Sequence, residues 1–335
     1  MLLTVLLSPK ASLRTREPPE PERQYPVRMD FRRLLLLREL ADRRTVGATA
    51  EALGITASAV SQQLKLLQEE IGVVLIERQG RGVRLTEAGE AMAAAAAGVA
   101  VAMARAEATA DGYRRGEQAR VRAVFFPSAA EMFLPGLLDR VAERKGLRLE
   151  ARLEDPNAQG FVDLAADADL VLGHSVNGPE EFLRSGLVVE PLLEEPLDVV
   201  LPGDHPLAAR EVLEPDDVAP WPWIGVPAGF PFDTVLRQIE LQAGRVVERV
   251  QLMPDLRAME ALVRGGHGLS LLPRFTARGA LRSGLVLRPL AGVQACRSVV
   301  LLARADVAAR PTVRDVMDMV HAEAARIVRD DGGEA

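Results

Sequence analysis

The sequence predicts an α+β protein of several domains, and three observations support this fold class. Residues 44–89 contain two short amphipathic helices joined by a glycine turn and followed by a basic hairpin. An alanine-rich segment from 86 to about 113 predicts one long helix. From residue 121 onward, strand and helix signals alternate, which is typical of α/β architecture. A length of 335 residues is enough for two or three domains.

The paired helices are defined by their capping residues. Thr45 is placed to cap the first helix, Gly54 to end it, and Thr56 to cap the second. The small apolar face of the first helix is expected to comprise Val46, Ala50 and Leu53. The second helix has one apolar side, formed by Val60, Leu64 and Leu67. Its other side carries polar residues that fit the major groove of DNA: Ser58, Ser61, Gln62 and Lys65.

A basic hairpin follows the second helix. Runs at 73–76 and 83–85 flank a turn that contains Gly80 and Gly82. This pattern predicts a wing, with positive charge placed to meet phosphates or enter the minor groove; the candidate residues are Arg78, Arg81 and Arg84. A solvated surface loop is the alternative interpretation.

The ordered residues of this segment resemble the N-terminal domain of the LysR-type transcriptional regulators. The matching positions are Ala50-Glu51, Leu53, Ile55, Ala59-Val60-Ser61, Gln63-Leu64, Glu69-Glu70, Ile71-Gly72, Leu75, Glu77-Arg78, Gly80-Arg81, Val83-Arg84-Leu85-Thr86 and Glu87-Ala88-Gly89. The resemblance can be followed over about 29–320. Two helices joined by a glycine turn also occur as purely structural pairs, so the hairpin and the following helix contribute to this interpretation.

The second helix departs from the common family pattern. Ala57-Ser58 stands where relatives often have Gln-Pro, and Gln62 where they often have arginine. The bases that relatives contact are therefore not carried over. Gln62 suits an adenine edge, and Lys65 suits guanine or a phosphate. For each of these side chains, a solvated face or a water-bridged phosphate contact is the alternative.

Charge is distributed unevenly along the chain. Residues 29–116 contain 12 Lys and Arg against 11 Asp and Glu, whereas 117–335 contain 24 against 33, and the whole chain has a net charge of −6. Attraction to DNA must then come from a local patch, which dimerisation doubles. The resemblance implies that the alanine-rich helix is a linker that pairs with its twofold mate; a buried helix of the second domain is the alternative.

The rest of the chain predicts an α/β domain. Strands are expected at 121–126, 147–153, 169–173, 197–201 and 223–226, and helices at 131–145, 161–166 and 233–243. Residues 255–264 then lead through a glycine-rich turn into 269–272. The runs at 203–207 and 268–273 are similar to the effector-binding domain of the same regulators, which resembles a periplasmic binding protein with two α/β lobes around a cleft.

That resemblance implies the domain division. It places a winged helix-turn-helix at 29–86, a linker and dimerisation helix at 87–116 and an effector-binding domain at 117–325. Lobe I would comprise about 118–197 and 296–320, and lobe II about 198–295.

A small-molecule effector is expected in the cleft, because crevices at strand ends collect backbone donors and helix N-termini. Ser128 and the nearby amides are candidates to hold a carboxylate, with a simple helix cap as the alternative for Ser128. Ser175 is a second candidate. Phe230 and Phe232 suggest a partly apolar effector or a filled pocket. His267 lies in the glycine-rich turn, where a solvent-exposed ring is the alternative to a ligand contact.

Several other functions are not supported by the sequence. It contains no nucleophile elbow, phosphate loop, dinucleotide fingerprint or metal-ligand spacing, so no enzyme activity, cofactor or metal is expected. The single Cys296 excludes an internal disulfide, and its strand-like surroundings favour buried packing over redox sensing. No run is expected to span a membrane, and residues 1–7 lack the features of a signal peptide, so the predicted location is cytoplasmic.

The sequence therefore predicts a LysR-type regulator. Its expected partners are double-stranded DNA with an interrupted palindrome, a small-molecule effector and a second copy of the chain in a dimer or tetramer, with RNA polymerase as a further candidate. Residues 1–28 are expected to be disordered. The alternatives are a DNA-binding protein without an effector response and, from a different class, a two-lobed solute-binding protein.

Overall fold

A computed structural model describes residues 29–80, 82–111, 119–184, 186–281 and 284–332. The predicted disorder of 1–28 and the predicted role of Arg81 lie outside the described residues. The N-terminal part consists of α1 (Phe31–Arg43), α2 (Val46–Leu53), α3 (Ala57–Ile71), β1 (Ile76–Gln79), β2 (Gly82–Leu85) and α4 (Glu87–Asp111). We call α1 to β2 the head.

Local capping determines where the helices of the head begin and end. The side chains of Thr45 and Thr56 accept hydrogen bonds from the backbone at the starts of α2 and α3, as the sequence predicted. Gly54 ends α2 in the left-handed conformation, with φ of 64°. The turn between the two helices is therefore fixed by short-range interactions.

One apolar cluster holds the head together. Its most buried members are Leu37, Leu40, Val60, Leu64, Leu67 and Leu75. The apolar side predicted for α3 is thus confirmed. The face predicted for α2 is wrong at Leu53, which is 41% exposed, while Thr49 is fully buried instead. Leu53 occupies the last position of α2, where the chain turns away from the core.

The hairpin is joined tightly to α4. β1 and β2 pair antiparallel, and Gln79 lies opposite Gly82. The Thr86 hydroxyl donates to the Val74 carbonyl and accepts a hydrogen bond from the Gly89 amide. A Cβ atom at Gly89 would overlap the Leu75 carbonyl oxygen, so the close approach of helix and hairpin requires glycine here.

The long helix α4 corrects one prediction. Glu87–Ala110 is long and apolar enough for a membrane span by length and composition alone, whereas the sequence predicted no run of that kind. Alanine contributes most of its apolar character, and α4 packs against α1 in the head. Only 28% of its most apolar stretch is buried within a single chain.

The C-terminal part continues the alternation of strands and helices. Its elements are β3 (Ala119–Phe125), α5 (Pro127–Ala142), β4 (Leu147–Leu153), α6 (Ala158–Leu164), β5 (Leu170–Ser175), β6 (Leu187–Pro202), α7 (Pro215–Val218), β7 (Trp223–Gly225), α8 (Pro231–Ala243), β8 (Arg249–Leu252), α9 (Leu256–Arg264), β9 (Ser270–Pro273), α10 (Arg274–Leu281), β10 (Leu285–Arg288), β11 (Cys296–Arg304), α11 (Ala305–Ala308) and α12 (Pro311–Gly332). Short 3-10 helices occupy Pro179–Phe182 and Pro206–Ala209.

Two hydrophobic cores divide this part into two lobes. The first core lies around β3, β5 and β11, and the second around β7, β9 and α8. The sheet order is β10-β6-β11-β5-β3-β4, with β9 also paired to β6, so β6 belongs to both lobes. Its first half pairs with β11 as far as Pro196, and its second half pairs with β9 from Leu197. The passage between lobes therefore lies within a continuous strand.

The described elements also differ from the predicted ones. The helix expected from 131 begins at Pro127, because proline at the first helical position suits an N-terminus. The strand expected from 197 begins at Leu187; prolines and glutamates disguise its first half in the sequence. The last helix, α12, continues to Gly332, and its residues Ala324 and Ile327 pack in the first core.

We expect Gly89→Ala to destabilise the head by about 2 kcal/mol or more, because its Cβ displaces the hairpin from α4. Differential scanning calorimetry measures the melting temperature of the head. Tryptophan fluorescence would not, because the 2 tryptophans, Trp221 and Trp223, both lie in the second lobe.

Gly47→Ala, in α2 of the head, is the matched control. Among the described residues, nothing outside the backbone of α2 lies within 4 Å of a Cβ at Gly47, so the added methyl should be neutral or stabilise α2 by about 0.5–1 kcal/mol. Equal melting behaviour of the two variants would contradict the close-packing argument.

Candidate functional site

The polar side of α3 is exposed. Val60, Leu64 and Leu67 turn into the head and leave the opposite side uncovered. All four residues proposed from the sequence lie there: Ser58, Ser61, Gln62 and Lys65. The Ser61 hydroxyl donates to the Ala57 carbonyl at 3.0 Å, and the Lys65 ammonium lies 3.7 Å from Glu69. This ion pair is exposed, so the lysine remains available to a phosphate.

The hairpin places two of its three predicted arginines in solvent. Arg78 is exposed, and Gly80 makes the turn with φ of 58°. Arg84 lies opposite Glu77 in the strand register and pairs with it. The charge of Arg84 is therefore partly neutralised in the absence of DNA. Arg81 falls outside the described residues.

The back of the head contacts the first lobe through ion pairs. Arg38, which is only 5% exposed, donates to Asp306 at 2.6 Å. Arg304 donates to Glu39 at 2.7 Å, and Arg43 to Asp167 at 2.7 Å. The exposed side of α3 is thus held in a defined orientation relative to this lobe.

A cavity of about 90 Å³ lies between the two lobes. The N-terminus of α5 reaches it from the first lobe, and those of α8 and α9 from the second. Both α5 and α8 begin with proline and have no side-chain cap, so no capping side chain satisfies the backbone amides that follow each proline. Helix N-termini attract anions, because unpaired amides and the helix dipole act together.

A buried ion pair lies beside this cavity. Arg297 on β11 donates from Nε and Nη2 to Glu195 on β6, at 2.8 and 2.6 Å. The exposed fractions of these residues are 2% and 0%. Nη2 also donates to the Ser128 hydroxyl oxygen at 2.9 Å, and the described residues include no hydrogen bond from Nη1. Arg297 lines the cavity, so its guanidinium retains hydrogens that can donate to a ligand there.

Ser128 is a cavity residue and not a helix cap. The residue that caps α5 is Phe126, which makes no side-chain hydrogen bond there, so the capping alternative is wrong. Because Ser128 accepts from Arg297, its own O–H remains able to donate to a ligand. Its position next to the α5 N-terminus results from the turn directly after β3.

His174 was missed as a site residue by the sequence analysis. It lies on β5, is 5% exposed and lines the cavity. Nε2 hydrogen-bonds Asp155 at 3.0 Å, and the ring packs 4.5 Å from the Phe126 ring centre. Burial lowers the pKa of His174, so the imidazole is neutral at physiological pH. Its only sequence signal is a polar residue in the apolar strand 170–175.

The second lobe contributes an apolar wall. Phe230 and Phe232 both line the cavity. The Phe232 ring centre lies 5.9 Å from the Arg297 guanidinium carbon across the gap. At the rim, Arg257 of α9 donates to Glu131 of α5 and joins the two lobes.

The structure places two other predicted residues outside the cavity lining. Ser175 accepts from the Asn177 amide at 2.9 Å and donates to Glu181. His267 is exposed in its glycine-rich turn.

Arg297 was also missed; its signal is a single arginine in the apolar run 295–302. Among the described residues, no group of three or more His, Cys, Asp or Glu is arranged to hold a metal.

Comparison with known proteins identifies the family. The family model described as LysR substrate binding domain matches residues 114–325, and the bacterial regulatory helix-turn-helix protein, lysR family, matches 31–90. The chain belongs to the LysR family of transcriptional regulators.

Similar proteins include the regulator TtuA of Agrobacterium vitis, 30% identical over 78% of this chain and 86% of its own. The dual regulator GltC of Bacillus subtilis is 26% identical, over 87% of this chain and 96% of its own length. A full-length OxyR variant from Pseudomonas aeruginosa has a similar fold, with a TM-score of 0.56, 24% identity and coverage of 88% and 98%.

The only cysteine of this LysR-type regulator, for which the sequence favoured buried packing over redox sensing, is half-buried. Its Sγ donates to Glu194 at 3.3 Å. Burial and this carboxylate raise the pKa of Cys296 to about 12. Since the thiolate is the reactive form, the site disfavours oxidation chemistry at this residue.

We expect alkylation of Cys296 by iodoacetamide to be on the order of 10³ slower in the native regulator than in urea, because the thiolate fraction falls tenfold for each pKa unit. Mass spectrometry of timed samples measures both rates. Glu194→Gln should accelerate the native reaction. A native rate within about tenfold of the unfolded rate would contradict the raised pKa of this thiol.

Proposed function

We propose that this LysR-type regulator binds an interrupted palindrome as a dimer and alters promoter output when a small acid occupies the cavity between its lobes. One observation carries the proposal: the cavity brings together Ser128, Arg297 and uncapped helix N-termini. The exposed polar side of α3 supplies the DNA-binding surface. The proposed location is cytoplasmic, where both DNA and the effector are accessible.

The domain division proposed from the sequence has physical support. Separate apolar clusters occupy the head and the two lobes. We place the DNA-binding head at 29–86, the linker at 87–116 and the effector domain at 117–325. The lobe boundaries near 197 and 296 coincide with the change of partner along β6.

Dimerisation is proposed through α4. Only 28% of its most apolar stretch is buried in a single chain, and alanine side chains allow another helix to approach closely. A dimer also doubles the basic surface, which matters because the chain carries a net charge of −6. Two heads related by a twofold axis would bind half-sites arranged as a palindrome. RNA polymerase is a further candidate partner.

The proposed DNA contacts fall into two groups. Ser58, Ser61, Gln62 and Lys65 on α3 would read base edges, and Arg78, Arg81 and Arg84 in the hairpin would contact phosphates or the minor groove. Base contacts determine sequence preference, whereas phosphate contacts determine affinity and its dependence on salt.

Selection from a random pool of double-stranded DNA by the full-length protein should recover two related half-sites. On the selected DNA, we expect Gln62→Ala to relax preference at one base pair per half-site, at a cost of about 1–3 kcal/mol. Arg78→Ala should weaken binding to all sequences equally and reduce the salt slope by about 0.9 for each phosphate that the protein no longer neutralises.

Fluorescence anisotropy over a range of salt concentrations measures both effects. Arg148→Ala is the matched control, because it removes the same charge from an exposed position on β4 of the effector domain. An Arg148→Ala effect as large as that of Arg78→Ala would indicate general electrostatics instead of a hairpin contact.

The effector is proposed to be an acid. Its charged group would accept hydrogen bonds from the Ser128 hydroxyl, from the free N–H of Arg297 and from the first amides of α5 and α8. Phe230 and Phe232 would cover its apolar part. Ser175 and His267 are retained only as candidates for an open arrangement of the lobes. An effector changes DNA binding only by its different affinities for two arrangements of the protein.

We expect Ser128→Ala to weaken binding of the acid by about 1.5–3 kcal/mol, because a charge-assisted hydrogen bond is lost. A thermal-shift screen of small carboxylic acids supplies the ligand, and calorimetry measures its affinity. DNA binding without the acid should be unchanged.

Thr312→Ala, an exposed hydroxyl on α12, is the control. If no acid stabilises the protein while it still selects a palindrome, the chain is a DNA-binding protein without this effector response. Equal losses of acid and DNA binding in Ser128→Ala would indicate misfolding.

A further inference from the structure

His174 carries a buried nitrogen without a partner. Its Nδ1 is buried, and none of the described residues hydrogen-bonds it; among side-chain atoms in the described ranges it alone has this status. Buried polar atoms are nearly always satisfied, so an exception in the lining of a cavity points to a ligand. The ring is held in place by Asp155 on Nε2 and by Phe126 and Phe161 on its faces.

The partner of Nε2 determines the chemistry of Nδ1. An ionised carboxylate only accepts hydrogen bonds, so Asp155 requires that Nε2 carry the hydrogen. In a neutral imidazole, Nδ1 then presents a lone pair and accepts. Burial and the positive charge of Arg297 lower the pKa of His174 and favour this neutral form. Asp155 and Glu195 act in the opposite direction, but burial is the largest effect.

This acceptor lies close to the proposed acid site. The His174 ring centre is 4.5 Å from the Phe126 ring centre, and the Arg297 guanidinium carbon is 5.0 Å from the same point. Both groups line a cavity of only about 90 Å³. In this arrangement of the lobes Nδ1 is closed to solvent, so a small molecule that contacts Arg297 reaches Nδ1 once the lobes or the ring open slightly.

We propose that the effector is an acid with a hydroxyl or N–H group beside its carboxylate, and that His174 Nδ1 accepts a hydrogen bond from this group. The inference rests on the proposed acid site and adds a specificity requirement to it. Arg297 and Ser128 recognise the negative charge, whereas His174 distinguishes a donor from a methylene or a carbonyl. A carbonyl oxygen facing Nδ1 would place two acceptors together, and a methylene would leave the nitrogen unpaired.

Four probes of equal chain length separate these cases: propionate, pyruvate, lactate and alanine. We expect calorimetry on the full-length protein to show that lactate or alanine binds at least about tenfold more tightly than propionate and pyruvate. His174→Phe should abolish this preference, since it keeps an aromatic ring against Phe126 and removes the acceptor. His174→Asn, which supplies an amide oxygen as acceptor, should restore part of it.

His321→Asn is the control, because His321 lies on α12 outside the cavity lining and bonds Glu190. It should leave the preference unchanged. Equal affinities for all four acids, or a preference that persists in His174→Phe, would overturn the role of His174 and leave the proposed acid site intact. If none of the four binds at about 10 mM, the comparison passes to the acid that the thermal-shift screen supplies and its analogue without the donor group, and equal affinities for that pair overturn the role of His174.

A measurement on the wild-type protein distinguishes a neutral His174 that accepts a hydrogen bond from a protonated His174. If His174 remains a neutral acceptor, the binding heat at about pH 7.5 should not depend on the ionisation enthalpy of the buffer, because no proton is taken up. Uptake of about one proton per bound acid would show that an imidazolium binds the anion instead, and would overturn the proposal.

Discussion

The buried pair of Arg297 and Glu195 is the interaction on which the two-lobed part depends. The residues are cross-strand partners on β11 and β6, at the point where β6 leaves one lobe and enters the other. Neither charge is in water, so each requires the other, and the loss of one partner would leave an uncompensated buried charge. The pair therefore fixes the register of the two strands. It also brings the guanidinium to Ser128 and Phe232, so the chemistry of the cavity follows from the same constraint.

The head was predictable because its signals are local. Thr45, Gly54 and Thr56 act within a few residues of their own positions, and the apolar spacing of α3 follows from helix geometry. The cavity was only partly predictable. Ser128 could be found because it follows a strand and begins a helix. Arg297 pairs with Glu195 across 102 residues and with Ser128 across 169, and no local pattern encodes such separations. β6 was recognised only in its second half, because its first half is specified by pairing with β11 and not by alternation.

The helix α1 has two functions in the fold. Leu37 and Leu40 pack in the head, while Arg38 and Glu39 contact the first lobe. The arginine and carboxylate groups at this contact include Arg304 and Asp306, which lie at the junction of β11 and α11. β11 therefore connects Arg297 beside the cavity with Arg304 beside the head. A rigid strand with one end at each location is a direct physical route between the two proposed sites, although coupling itself requires two arrangements of the protein.

The division of β6 between two lobes has a further consequence for the engineering of this scaffold. The chain enters the second lobe at Leu197 and leaves it at Ala295, and the Leu197 amide donates to the Ala295 carbonyl at 2.9 Å. The second lobe is thus an insertion whose two ends are adjacent. Such an insert can be exchanged as a cassette between related scaffolds, with one junction inside β6 and the other directly before β11. Because β6 and β11 pair beside both junctions, a rotation of the insert has to twist this two-stranded ribbon.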